Sequence, residues 1–205
     1  LHTWETNNNY HFSPSLCFNA NFDGNGHTIY LDMYKAGYTG LFTVLRSSGD
    51  NNKDAPYEIG NFKLRGSVKQ NKKMGSTSTG AVVGGLWGVY VNFKDITLAG
   101  LEVSTENSGN IAGIIGTCIS YGYQAKLENI NIGLKDTTDE NGVVITDNSV
   151  LLDGTKSASV INVGGLVSSA SQIRANKVNI INTKMLGKAS VGGIIATINL
   201  WNASW

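Results

Sequence analysis

Three histidines, His2, His11 and His27, all fall in the first 27 residues. A catalytic triad would have to bring one of them to a distant nucleophile and a carboxylate, and no G-x-S-x-G turn exists to present that nucleophile. His27 reads better as a packing or hydrogen-bonding neighbour of Asp23-Gly24-Asn25-Gly26, a structural turn in which Asn-Gly tightens the chain and Asp caps backbone N–H groups. Cys17 and Cys118 belong to no CxxC or Cys/His motif, which leaves one disulfide or two buried thiols and no zinc signature. Asp32, Asp95, Glu102 and Glu128 belong to different segments, and paired in one groove they could cleave a glycan. With only Arg46, Arg65 and Arg174 to neutralise an acidic sugar, lyase chemistry is disfavoured. Asp136, Thr138, Glu140 and Asp147 stand at positions 1, 3, 5 and 12 of a loop, but Asn141 replaces the glycine that an EF-hand needs at position 6. Asp50-Asn51-Asn52-Lys53-Asp54 also offers oxygen ligands. Calcium is therefore the one metal with candidate donors, and otherwise no cofactor or metal is expected.

The aromatic residues are better placed for binding. Tyr34, Tyr38, Tyr121 and Tyr123 are candidate platforms for a sugar ring or a protein partner. The four-residue spacing of Tyr30, Tyr34 and Tyr38 would suit a helix, but Gly37, Thr39 and Gly40 argue for a strand followed by a turn. Trp87 lies within a glycine-rich apolar segment and reads as core. Trp4, Trp201 and Trp205 lie near the two chain ends, where they would cap a core or pack end to end with another copy. The net charge of +1, and the Lys69-Gln70-Asn71-Lys72-Lys73 tract without interleaved aromatics, give no case for nucleic acid; the tract reads as a solvated loop. No apolar run reaches the roughly 18 residues needed for membrane insertion.

The elements that must position these side chains are strands. The chain has 41% hydrophobic and only 15% charged residues, with 25 glycines and 2 prolines in 205. Disorder and coiled coil are excluded by that balance, and frequent turning between short strands is favoured. Five segments read small, Gly, aliphatic, bulky: they are centred on Gly40, Gly85, Gly113, Gly165 and Gly193. Alternating runs follow the first four, at Ile59–Leu64, Phe93–Leu98, Leu127–Ile132 and Ala175–Ile180, and period two means half-buried strand. Asn61, Asp95 and Asn129 occupy one position of these runs and Lys177 takes the fourth. Repeats of this length built from strands and turns predict a single all-β domain over residues 1–205, a parallel β-solenoid with irregular coils and inserted loops. The long interval between Gly113 and Gly165 is explained by two coils or by one coil with an insertion near Asp136–Gly154. Roughly seven or eight coils of about 26 residues would make a rod on the order of 35–40 Å long. Little helix is expected.

Phe22-Asp23-Gly24-Asn25-Gly26-His27-Thr28-Ile29, followed by Gly40-Leu41-Phe42 and the later Gly-Gly-aliphatic units, resembles bacterial extracellular β-helix proteins with GLUG-type repeats. The resemblance spans about Asn19 to Ile198. It implies a right-handed β-helix within a larger secreted or cell-surface protein, often an adhesin-like stalk that displays loops toward a host or matrix glycan or protein. The chain opens on Leu1 with no basic, apolar leader, as a processed product or a segment would. Two alternatives stand beside the adhesin: a structural subunit that self-assembles end to end, and a polysaccharide-degrading β-helix enzyme.

Overall fold

A computed structural model describes residues 17–46, 52–72, 77–119, 124–157 and 161–198. Among them there is no helix. The described residues wind through six coils. The first holds β1 (Cys17–Phe18) and β2 (Phe22–Lys35); the second β3 (Phe42–Arg46) and β4 (Tyr57–Gln70); the third β5 (Thr79–Gly80), β6 (Val83–Trp87) and β7 (Val91–Thr105). The fourth holds β8 (Asn110–Ala112), β9 (Ile115–Ile119), β10 (Ala125–Ile132), a hairpin of β11 (Thr137–Thr138) and β12 (Val144–Thr146), and β13 (Val150–Asp153). The fifth holds β14 (Asn162–Gly164), β15 (Val167–Ala170), β16 (Ile173–Ile180) and β17 (Thr183–Leu186), and the sixth β18 (Val191–Gly192) and β19 (Ile195–Ile198).

Strands from successive coils pair in parallel to form three sheets: β1-β3-β6-β9-β15-β19, β5-β8-β14-β18, and a third built on β2-β4-β7, which continues into β10-β16 on one stretch and β13-β17 on the other. In these sheets each strand pairs only with strands of the coils before and after it, which is the solenoid-like arrangement the repeats predict.

The alternating runs set the core. Ile59, Phe93, Leu127 and Ala175 are level with one another, as are Phe62, Ile96, Ile130 and Val178, and Leu64, Leu98, Ile132 and Ile180. The aliphatic and aromatic members of the middle coils in these ladders are buried. Burying each such side chain contributes roughly 1.5–3 kcal/mol.

Between the first two ladders lies a position with a left-handed backbone in four consecutive coils: Asn61 (φ 59), Asp95 (φ 54), Asn129 (φ 54) and Lys177 (φ 53). Asn and Asp tolerate this region because their short polar side chains bond locally. Here they also bond along the stack, with Asn61 Nδ2 donating to Asp23 Oδ1 at 2.9 Å and Asn129 Nδ2 to Asp95 Oδ1 at 2.6 Å. Lys177 keeps the geometry without that chemistry. Lys177→Asn should therefore stabilise the fold by about 1 kcal/mol, from relief of left-handed strain, and a urea midpoint that stays put or falls would contradict this account.

Three expectations are corrected. The described residues form six coils, against seven or eight expected of the whole chain at about 26 residues each, because a regular coil takes 34 residues, from Phe62 to Ile96 and from Ile96 to Ile130; β4 and β7 continue through a kink at Gly66 (φ 100) and Gly100 (φ 57). The glycine repeat is also displaced in the third coil. Gly40 is level with Gly80, and Gly80 with Ala112, Gly164 and Gly192; Gly85 instead pairs with Val44 and Thr117. Lys69 and Gln70 lie in β4 rather than in a solvated loop. Gln70 is buried, donating through Nε2 to the Gly37 carbonyl and to Thr77 Oγ1, and accepting from Thr105 Oγ1.

The long Gly113–Gly165 interval is one coil with an excursion over residues 133–149. The cysteines cannot bridge. β1 and β9 are separated by β3 and β6, so their backbones are about 14 Å apart at the ~4.8 Å strand spacing, twice the reach of a disulfide.

Candidate ligand-binding face

Period two along β2 sends Ile29, Leu31 and Met33 toward the core and Tyr30, Asp32 and Tyr34 outward. Tyr30 is 75% and Tyr34 62% exposed, although their backbone is fully laddered to β4. The next coil places Arg65, Ser67 and Lys69 level with these three residues. The third places Glu102 and Ser104 level with Ser67 and Lys69. Two tyrosines four residues apart on one strand, their Cα atoms at most about 13 Å apart, are thus interleaved and backed by carboxylates, cations and hydroxyls.

Hydrogen bonds fix the polar members. Ser67 Oγ donates to Asp32 Oδ1 at 3.1 Å. Arg65, beside Tyr30, reaches over the kink to the Asp147 carbonyl at 2.6 Å and Asn148 Oδ1 at 2.9 Å. Lys69 Nζ lies 3.1 Å and Lys156 Nζ 3.6 Å from opposite oxygens of Glu102. Burial works to raise the Glu102 carboxyl, but hydrogen bonds from Lys69 and Ser104 and the charges of Lys69 and Lys156 outweigh it and hold the group below its ordinary value. The Tyr34 hydroxyl donates to Glu106 at 3.4 Å, and partial desolvation together with that carboxylate pushes its pKa up. Tyr34 therefore remains a protonated donor at neutral pH. These exposed ion pairs contribute at most about 1 kcal/mol each to stability; their consequence is orientation. Lys35, on the inward side of the same strand, donates to Thr43 Oγ1 at 2.9 Å, and burial lowers its pKa to about 8.

The other candidate residues have separate places. Tyr38 is half-buried, its ring edge-on to Trp87 at 5.2 Å, so it packs where Tyr34 stays exposed. Tyr121, Tyr123, Trp4, Trp201 and Trp205 lie outside the described residues. Asp23, Gly24, Asn25 and Gly26 form a bulge within β2, with Gly24, Asn25 and Gly26 opposite Asn61 alone; Asp23 Oδ1 accepts from the Asn25 N–H at 2.8 Å. His27 is exposed beside it.

The carboxylates weighed for glycan cleavage have separate partners: Asp32 has Ser67, Asp95 has Asn129, and Glu102 has two lysines, while Glu128 is level with Lys94. The calcium-loop donors are turned to backbone capping. Asp136 Oδ1 accepts from the Asn148 N–H and from Asn182 Nδ2, and Asp147 Oδ1 from the Ser149 N–H. In the second oxygen-rich tract Asn52 pairs both ways with the Tyr90 backbone. Among the described residues no three His, Cys, Asp or Glu side chains converge on a metal position, and no helix is long and apolar enough to cross a membrane.

Sequence reasoning passed over Tyr30 as a platform and did not see Arg65 beside it. The signal was present in the outward phase shared by Tyr30, Asp32 and Tyr34, once β2 is read as a strand. No family model matches the chain, and no curated protein or solved structure is detectably similar to it.

Proposed function

We propose that this chain is a non-catalytic display domain of a secreted or cell-surface bacterial protein, a right-handed β-solenoid of the GLUG-repeat kind, that holds a glycan along the face of β2. The right hand follows the overwhelming preference of parallel β-crossover connections. The observation that carries the binding reading is the pair Tyr30 and Tyr34, exposed on one face of a strand that cannot shift to hide them. A soluble protein gains nothing in stability from such rings, whereas sugar rings stack on them while Asp32, Arg65 and Ser67 meet hydroxyl groups. Carboxylates already engaged by neighbours favour holding over cleaving.

Affinity electrophoresis through gels cast with neutral and acidic polysaccharides, later stained for the polymer, tests this. Retardation without clearing is expected, and Tyr30→Ala with Tyr34→Ala should weaken it by about 2 kcal/mol or more, roughly thirtyfold, without lowering the melting temperature. Free migration in every gel, or retardation that survives the double substitution, would refute the reading, and a cleared track would favour the enzyme.

A further inference from the structure

Residues 133–149 replace what is a short kink in the other coils. Leu64 and Gly66 are separated by Arg65, Leu98 and Leu101 by Ala99-Gly100, and Ile180 and Thr183 by Ile181-Asn182; in the fourth coil the whole excursion lies between Ile132 and Val150. Its root is locked. Asp136 Oδ1 accepts from the Asn148 N–H and Asn182 Nδ2, Asn148 Nδ2 donates to the Lys135 carbonyl, and Arg65 holds Asp147 and Asn148 from the second coil.

Its tip is equally ordered. The Asp139 N–H donates to the Val143 carbonyl at 2.9 Å, Asp139 Oδ1 accepts from the Asn141 and Val143 N–H groups, and Gly142 takes the left-handed turn position at φ 80. The strands pair antiparallel, Thr137 with Thr146 and Thr138 with Val144, as a sheet of two strands only.

On this rigid arm Val143, Val144 and Ile145 are 60%, 51% and 64% exposed. Three consecutive exposed aliphatics in a polar stretch are a liability unless they are used. Edge strands are ordinarily guarded by shortness, bulges, Lys, Pro or inward charge; β12, Val-Ile-Thr, is short and its pairing shifts between Thr137 and Thr138, but none of its side chains is charged or Pro. Around the aliphatics the charge is mostly acidic. Asp139 and Glu140 flank the tip, and Asp136 and Asp147 the root, against Lys135 and the already engaged Arg65, both at the root.

From this juxtaposition we infer that the hairpin is a docking edge for an extended, basic segment of another polypeptide, which adds beside β12 as a third strand, sets apolar side chains against Val144 and Ile145, and turns lysines or arginines toward Asp139 and Glu140. Backbone hydrogen bonds supply affinity and the alternating side chains supply choice, as in other strand-addition complexes. The preformed arm lowers the ordering cost. A second copy would bring like charges together, and an anionic lipid surface is repelled for the same reason. This site shares only the root residue Arg65 with the tyrosine face.

The test is fluorescence anisotropy of a labelled, end-capped decapeptide of alternating Lys and Val, titrated with the whole chain. Binding is expected that falls with salt, weakens at least about tenfold when alternate backbone nitrogens of the peptide are methylated, and falls by a similar factor in Val144→Lys and Ile145→Lys, surface changes that leave the far-UV spectrum intact. A Glu-Val decapeptide should not bind. The inference is overturned if the two peptides bind equally, if neither binds, if binding is indifferent to Val144→Lys and Ile145→Lys, or if the chain instead associates with itself through Ile145. The polysaccharide gels read a different face, so either result can fail alone.

Discussion

Phe93→Ala should lower the unfolding free energy by about 3–5 kcal/mol, the range for deleting a fully buried aromatic ring. Phe93 is 1% exposed and level with Ile59 in the coil before it and Leu127 in the coil after it. The void would therefore be closed on both sides along the stack, where neither solvent nor a terminal coil can relax into it. A solenoid sums the stabilities of coils and of the interfaces between them, so weakening the third of six coils also uncouples the two halves. The urea transition should become broader as well as earlier.

Val178→Ala makes the comparison. Val178 occupies the neighbouring ladder in the fifth coil, is only partly buried, and should cost about 1 kcal/mol. Phe93→Leu should recover most of the loss. Equal costs at the two sites, or a Phe93→Ala loss below about 1 kcal/mol, would mean that the stacked ladders do not carry the stability assigned to them.

The part of the fold that was legible in the sequence is the part with one physical cause. In the runs from Ile59, Phe93, Leu127 and Ala175, burial on one face dictates period two, and the observed register matches the alignment of those runs residue for residue. Glycines are less legible because unlike causes put the same residue at different places. Gly113 and Gly165 are held at a corner by the carbonyl of the next coil. Gly84 and Gly85 imitate that motif, but are glycine because the Tyr38 ring and the backbone of Thr39 and Thr43 come against them. Nothing local distinguishes the two, and the repeat was displaced accordingly.

The coil count failed for a related reason. Gly66 and Gly100 look like strand ends, but the strand bends there and continues. Of the candidate face, exposure of Tyr34 was readable from its strand phase, whereas the placing of Arg65 beside Tyr30 depends on pairing between coils that no single segment encodes.

Gly66→Ala should be far more damaging than Gly142→Ala, although both positions have positive φ, +100 and +80. For Gly142 a methyl group meets nothing within 4 Å, so the cost is the backbone strain alone, about 1–2 kcal/mol. For Gly66 the same methyl overlaps the Leu31 carbonyl oxygen, with the Leu31 carbonyl carbon at 3.1 Å and its nitrogen at 3.2 Å. Those are backbone atoms of β2, held by the ladder itself, so the strands must part before the methyl fits. Adding a further ~1–3 kcal/mol for a forced backbone shift brings the expected loss to about 2–5 kcal/mol.

The same displacement reaches the candidate site, because Leu31 lies between Tyr30 and Asp32 on the strand that presents both tyrosines. Gly66→Ala should therefore weaken polysaccharide retardation even at temperatures where the chain remains folded, while Gly142→Ala leaves it unchanged. If both variants unfold at the same urea concentration, the close approach of β2 to β4 is not what requires glycine at position 66. If Gly66→Ala loses stability yet keeps full retardation, the face of β2 is not where the glycan is held.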